Sequence, residues 1–205
     1  MVNIKICGIK DIDSARAAGN ADYIGFIMNK QYRRYCPPET VRSICDAIKG
    51  PQKVGVFVNQ DLAEVNELAE YCGLDFVQLH GSEQVEYAEQ IDLPVIKAFR
   101  YGDDFSVSKA EAYPAEIVLI DSYSKNTAGG SGISFAWQEA AGEICSLKKP
   151  YMIAGGVSAD NVGEAIKLFH PYGIDASGSM EINGNKSKEL IRKFLEAAGR
   201  KGREV

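Results

Sequence analysis

The chain has 205 residues, of which 45% are hydrophobic, 25% are charged and 7 are proline, enough apolar material for one domain with a sizeable core. That composition excludes extensive disorder, collagen-like repeats and mucin-like stalks. Lys and Arg number 23 against 28 Asp and Glu, a net charge of −5 without any basic cluster, so no nucleic-acid partner is expected.

Short apolar runs alternate along the chain with stretches of helical spacing, the pattern of βαβ units. A strand over Asn3–Cys7 precedes a helix over Asp11–Ala18, and a strand over Asp22–Met28 precedes a helix over Pro38–Ile48. Next come Lys53–Val58 with Leu62–Cys72, Asp75–Leu79 with Glu83–Gln90, and Pro94–Phe99 with Asp104–Ala112. The last three pairs are Glu116–Asp121 with Phe135–Cys145, Pro150–Ala154 with Ala159–Phe169, and Gly173–Ala176 with Ser187–Ala198. Eight such units of about 25 residues predict a single-domain α/β protein, a (β/α)8 TIM barrel over residues 1–198 with a frayed polar tail over 199–205. An open doubly wound sheet would carry G-x-G-x-x-G after its first strand, where this chain has Cys7-Gly8-Ile9-Lys10. Its glycines come late instead, as Gly155-Gly156 after strand 7 and Ser177-Gly178-Ser179 after strand 8, where barrel enzymes often bind phosphate.

No apolar run approaches the roughly 20 residues that span a bilayer, and Met1 to Lys5 lacks a secretory pattern, so a cytoplasmic protein without a membrane partner is expected. The five cysteines include no C-x-x-C pair, which points to neither a disulfide framework nor a zinc site.

In a barrel, residues at the C-terminal ends of the strands converge on one site. Those positions hold Cys7, the Asn29–Arg34 segment, Asn59, His80, Arg100, Asp121, Gly155-Gly156 and Ser177 to Ser179. One thiol, one imidazole, one carboxylate and three arginines suit metal-free acid/base chemistry on an anionic ligand. Each alone has a plainer reading: a buried small side chain for Cys7, a structural histidine for His80, a loop-starting aspartate for Asp121. Alternation along strands 1, 4, 5 and 8 further predicts that Lys5, Gln78, Lys97 and Asp175 point into the barrel, with Lys5 and Asp175 as a buried pair.

Several motifs in order resemble one family. Lys5-Ile6-Cys7-Gly8, Val77-Gln78-Leu79-His80-Gly81, Ile120-Asp121-Ser122, Gly129-Gly130-Ser131-Gly132, Phe135-Ala136-Trp137, Ala154-Gly155-Gly156 and Gly173-Ile174-Asp175 together are similar to the phosphoribosylanthranilate isomerases of tryptophan biosynthesis. The resemblance implies an Amadori rearrangement with Cys7 as general base, Asp121 as general acid and Arg34 on the anthranilate carboxylate, with the late loops (Gly155, Gly156, Ser177, Gly178, Ser179) on phosphate and His80 also among the substrate contacts. It implies a small phosphorylated substrate, no cofactor, and a monomer or homodimer. The chain departs from the family where Tyr32-Arg33 replaces Ser-Pro before the arginine, where Ser177-Gly178-Ser179 replaces Ser-Ser-Gly, and where Ala136 replaces an aspartate. Register from Gly25-Phe26 assigns the arginine role to Arg34 and leaves Arg33 freer.

The residue types fit that chemistry. Opening a ribosylamine ring needs a proton on the furanose oxygen, and an acid doing this near neutrality must hold its proton well above the usual carboxylate value of about 3.9. The resulting protonated Schiff base acidifies the neighbouring C2 hydrogen, so a thiolate suffices as base. Three rival functions compete with it: a two-substrate isomerase of histidine and tryptophan synthesis, which carries aspartates at both catalytic strand ends; a pentose-phosphate epimerase, which needs a metal-binding histidine pair; and a degenerate barrel that binds a phosphorylated metabolite without turnover.

Overall fold

The computed structural model describes residues 1–121 and 135–200. Its parallel strands are β1 (Asn3–Cys7), β2 (Tyr23–Ile27), β3 (Gln52–Phe57), β4 (Phe76–Leu79), β5 (Val95–Arg100), β6 (Ile117–Asp121), β7 (Tyr151–Ala154) and β8 (Gly173–Ala176). They pair in chain order, and β8 pairs back onto β1 to close a barrel. Outside it lie α1 (Ile12–Ala17), α2 (Pro38–Ala47), α3 (Leu62–Cys72), α4 (Val85–Ala88), α5 (Val107–Ala112), α6 (Phe135–Ile144), α7 (Val162–Phe169) and α8 (Lys188–Ala197).

Local chemistry sets the helix ends. The Asp11 carboxylate accepts from the Ser14 amide at 2.7 Å, and Asp61 accepts from Ala63 at 2.9 Å, each satisfying amides that the first turn leaves unpaired. Pro38 occupies the first turn of α2, where a missing N–H costs nothing. At the far end of α3, Gly73 turns left-handed and returns its amide to Glu70.

The strands carry two apolar faces. Tyr23, Val54, Ile96, Ala98, Ile117, Leu119, Met152 and Ala154 fill the barrel, while Ile4, Ile6, Ile24, Phe26, Val77, Val118 and Ile174 pack outward against the helices. In this phase Lys5, Gln78 and Asp175 point inward, as the alternation predicts. Lys97 does not. It lies between Ile96 and Ala98, which take the inner positions, and faces the helix layer, where its ammonium bonds the Glu83 carboxylate at 2.8 Å and the Gly81 carbonyl at 2.6 Å.

Two further differences from the sequence reading matter. After β8 a short 3-10 turn (Gly178–Met180) leads into a hairpin of β9 (Glu181–Ile182) and β10 (Asn185–Lys186), closed by Asn183-Gly184 with φ of 51° and 80°. Both central residues of a type I′ turn need positive φ, and Asn-Gly supplies them. The start of the expected frayed tail is tied down: the Arg200 guanidinium bonds the Val2 carbonyl and the Asp22 carboxylate, and its amide returns to Leu195. The motif residues Ser122 and Gly129 to Gly132, and residues 201–205, lie outside the described residues.

Candidate active site

The C-terminal strand ends surround a cavity of about 490 Å³. Cys7 enters it from the end of β1, His80 from the residue after β4 and Asp121 from the end of β6. Gly155 and Gly156 line it from the turn after β7, Ser177, Gly178 and Ser179 from the turn after β8, and Arg34 from the loop between β2 and α2. Asn59 is used otherwise: its side chain accepts from the Ser82 amide and its own amide donates to Glu83, so it ties two loops together. Arg100 is exposed at the end of β5 and does not line the cavity.

A larger cavity, about 660 Å³, opens at the opposite end of the barrel between Asn3, Tyr23, Gln52 and Arg200. Size does not make it the reactive site. It lies at the face where barrel residues serve stability, and it lacks the thiol, imidazole and glycine turns of the upper cavity.

Backbone geometry holds Arg34 in place. The β2–α2 loop leaves the sheet at Ile27 and returns to it, with Tyr35 bridging Ile27 and the Cys36 amide donating to the Ile27 carbonyl at 3.0 Å. Arg34 is therefore the last residue of a closed loop. Its side chain is 29% exposed, against 61% for Arg33, and only Arg34 lines the cavity. Arg33 is nonetheless not free: it donates to Glu181 at 2.9 Å.

Below the mouth, Lys5 is wholly buried and bonds Asp175 at 2.9 Å. Burial alone would lower the Lys5 pKa, but the Asp175 carboxylate and the Cys7 sulfur beside it more than offset this, and the ammonium is held above its ordinary value. Burial pushes the Cys7 thiol up, opposed by the charges of Lys5 and Lys186 and reinforced by that of Asp175. Gly25 makes this packing feasible, since a Cβ there would sit 2.9 Å from Cys7 Sγ and 3.1 Å from Lys5 Nζ. Cys36, Cys45 and Cys72 differ: burial away from this cavity raises their thiols to about 12, 12 and 11, the behaviour of inert core groups.

Gln78 Nε2 lies 2.9 Å from His80 Nδ1. Burial lowers the His80 pKa, only partly opposed by the Asp121 and Asp175 carboxylates, so the imidazole is neutral at pH 7. In the late loops, Ser179 Oγ donates to the Val157 carbonyl at 2.7 Å and Asn161 Nδ2 to the Gly156 carbonyl at 3.0 Å. Among the described residues the Gly156 and Val157 amides make no hydrogen bond. The arrangement brings together a thiol beside an ammonium, a carboxyl group at another strand end, and cationic and amide hydrogen-bond donors.

Sequence reasoning missed Glu181 and Lys186, which sit behind the cavity wall. The Lys186 ammonium donates to the Ser177 carbonyl at 2.8 Å and to Glu181 at 3.1 Å, while Ser177 Oγ donates to the Cys7 carbonyl at 2.8 Å. The Asn183-Gly184 pair between two short segments was the available signal for the hairpin that carries them.

A family model described as N-(5'phosphoribosyl)anthranilate (PRA) isomerase matches residues 4–197. The chain is 38% identical to the N-(5'-phosphoribosyl)anthranilate isomerase of Desulforamulus reducens, covering 96% of this chain and 94% of that one. It is 39% identical to the enzyme of that name from Moorella thermoacetica, covering 96% and 89%. Among solved structures, phosphoribosyl anthranilate isomerase from Thermotoga maritima superposes with a TM-score of 0.86 at 31% identity, covering 97% of this chain and 99% of that one. Another, a phosphoribosyl anthranilate isomerase in complex with reduced 1-(o-carboxyphenylamino)-1-deoxyribulose 5-phosphate, gives 0.83 at 29% identity, again covering 97% and 99%. With its barrel closed, its motifs in order and the family model spanning nearly its whole length, the chain belongs to the N-(5'-phosphoribosyl)anthranilate isomerase family.

Proposed function

We propose that the chain converts N-(5-phosphoribosyl)anthranilate to 1-(2-carboxyphenylamino)-1-deoxyribulose 5-phosphate, the Amadori step of tryptophan biosynthesis, with Cys7 as base and Asp121 as acid. The observation that carries this reading is the opening of both groups onto one cavity in a chain of this family. Asp121 gives its proton to the furanose oxygen as the C1–O bond breaks, and the nitrogen lone pair forms the iminium. That iminium draws electron density from the C2–H bond, and Cys7 takes the proton. The enolamine then gains a proton at C1 as its C2 hydroxyl becomes the ketone, so atoms balance without oxidant, reductant or cofactor.

The raised thiol of Cys7 makes its thiolate a stronger base than an ordinary cysteine, at the expense of the fraction ionised. Lys5 counters that loss by placing an ammonium beside the sulfur. Neutral His80 is an additional hydrogen-bonding group for the sugar hydroxyls.

Arg34 is the grip for the anthranilate carboxylate, because a guanidinium edge matches a planar carboxylate with two parallel bonds. Gly155, Gly156, Ser177, Gly178 and Ser179 are the phosphate-binding loops, a role supported by the unengaged Gly156 amide and by the meeting of both turns at one cavity. We place the protein in the cytoplasm; among the described residues no helix is long and apolar enough to cross a membrane. As a monomer or homodimer it would match its neighbours, which include monomers generated from the dimeric Thermotoga maritima enzyme.

Loss of anthranilate fluorescence on incubation with freshly made phosphoribosylanthranilate tests the reading. Turnover to a phosphorylated ketose is expected. Tight binding without turnover would make the chain a metabolite-binding barrel instead.

A further inference from the structure

The Glu181 side chain is 6% exposed and lies at the centre of three cations. Oε1 accepts from Arg34 Nε at 2.5 Å and from Lys186 Nζ at 3.1 Å; Oε2 accepts from Arg34 Nη2 at 3.1 Å and from Arg33 Nη2 at 2.9 Å. Four donors saturate the carboxylate, and Glu181 does not line the cavity. Its place is behind Arg34, not against a ligand.

The Nε and Nη2 atoms form one flat edge of the Arg34 guanidinium, and Glu181 holds that edge. The adjoining Nη1–Nη2 edge keeps its donors: among the described residues Nη1 has no partner, and Arg34 lines the cavity. One carboxylate on the first edge fixes the plane and direction of the second, which is the preorganisation that bidentate recognition needs. Charge works the same way. Without Glu181, Arg33, Arg34 and the nearly buried Lys186 would face one another uncompensated, and the more exposed arginine heads would be driven apart. The carboxylate is fit for this task at any ordinary pH, since Arg34 and Lys186 outweigh the burial that would raise its pKa and hold it at about 2.

We propose that Glu181, carried on the β9–β10 hairpin, is the positioning residue that presents Arg34 to the carboxylate of the substrate, and thereby sets the selectivity of the enzyme for an aromatic amine bearing an ortho acid. This rests on the isomerase reading above and adds to it the residue that makes the arginine selective. Lys186 links the same carboxylate to Ser177, so the hairpin joins the carboxylate end of the site to the phosphate end.

Steady-state kinetics with phosphoribosylanthranilate test it in the full chain. Glu181→Gln keeps the shape and removes the charge, and should raise KM about tenfold, the loss of one charge-assisted bond, with kcat within about twofold of wild type. Glu181→Asp, which keeps the charge but withdraws it by one methylene, should raise KM by about threefold and serves if the Gln variant fails to fold. Added to Arg34→Ala, either change should cost nothing further, and neither should alter KM for the phosphoribosylamine of aniline, which lacks the carboxylate. An unchanged KM in both variants, a fall in kcat alone, or losses that multiply with Arg34→Ala would overturn the inference. Wild-type enzyme that does not turn over phosphoribosylanthranilate would overturn the isomerase reading itself, and this inference with it.

Discussion

Lys5 Nζ lies 2.9 Å from Asp175 Oδ1, on residues paired directly across β1 and β8, where the barrel closes. A charge buried there is tolerated only with its partner, so removing one leaves the other unpaired in a low dielectric. Lys5→Met should therefore cost about 3 to 5 kcal/mol of unfolding free energy, and the double variant Lys5→Met with Asp175→Leu should recover most of it. Because the folded Lys5 pKa is raised, the contribution is fully present below the ordinary value of 10.5 and fades only as pH rises beyond it. Urea unfolding between pH 6 and 9 should show a constant difference; a double variant no more stable than Lys5→Met would count against a pair.

The same ammonium acts on Cys7. Burial disfavours the thiolate and Lys5 favours it, so the sulfur should ionise above the ordinary 9.0, and higher still in Lys5→Met. Absorbance near 240 nm, taken as the difference from Cys7→Ser, follows that ionisation directly. A lower apparent pKa in Lys5→Met would show that the two groups do not interact as the packing indicates.

Arg33 and Arg34 provide an internal contrast, since both bond Glu181 but only Arg34 reaches the cavity. Arg34→Ala should raise KM for phosphoribosylanthranilate about ten- to a hundred-fold, the equivalent of roughly 1.5 to 3 kcal/mol. Arg33→Ala should change it little, because Glu181 keeps its bonds to Arg34. Equal effects from the two variants would mean that the loop register does not decide the ligand contact.

Most of this fold is legible in the sequence because eight short apolar runs alternate with stretches of helical spacing. Cys7, Asp121 and the late glycines stand at strand ends and so share one rim in a closed barrel of eight units, and the Lys5–Asp175 pair follows from alternation on β1 and β8, which closure makes neighbours. Lys97 shows where alternation gives out. Val95 and Phe99 are as apolar as Ile96 and Ala98, so both faces of β5 read alike and nothing in the strand fixes its phase. The hairpin escaped for a different reason: Glu181 and Lys186 stand in a stretch rich in Asn and Gly, where charges ordinarily face water, and their burial depends on Arg34, about 150 residues earlier in the chain.

In the proposed reaction the Cys7 thiol on β1 and the Asp121 carboxyl on β6 divide the proton transfers of one isomerisation. The most direct test of this division is kcat measured by anthranilate fluorescence for wild type, Cys7→Ala and Asp121→Ala, with substrate affinity followed in parallel. Each single variant should lose about 10²- to 10⁴-fold in kcat with affinity largely retained. Near-normal kcat in either variant would contradict it.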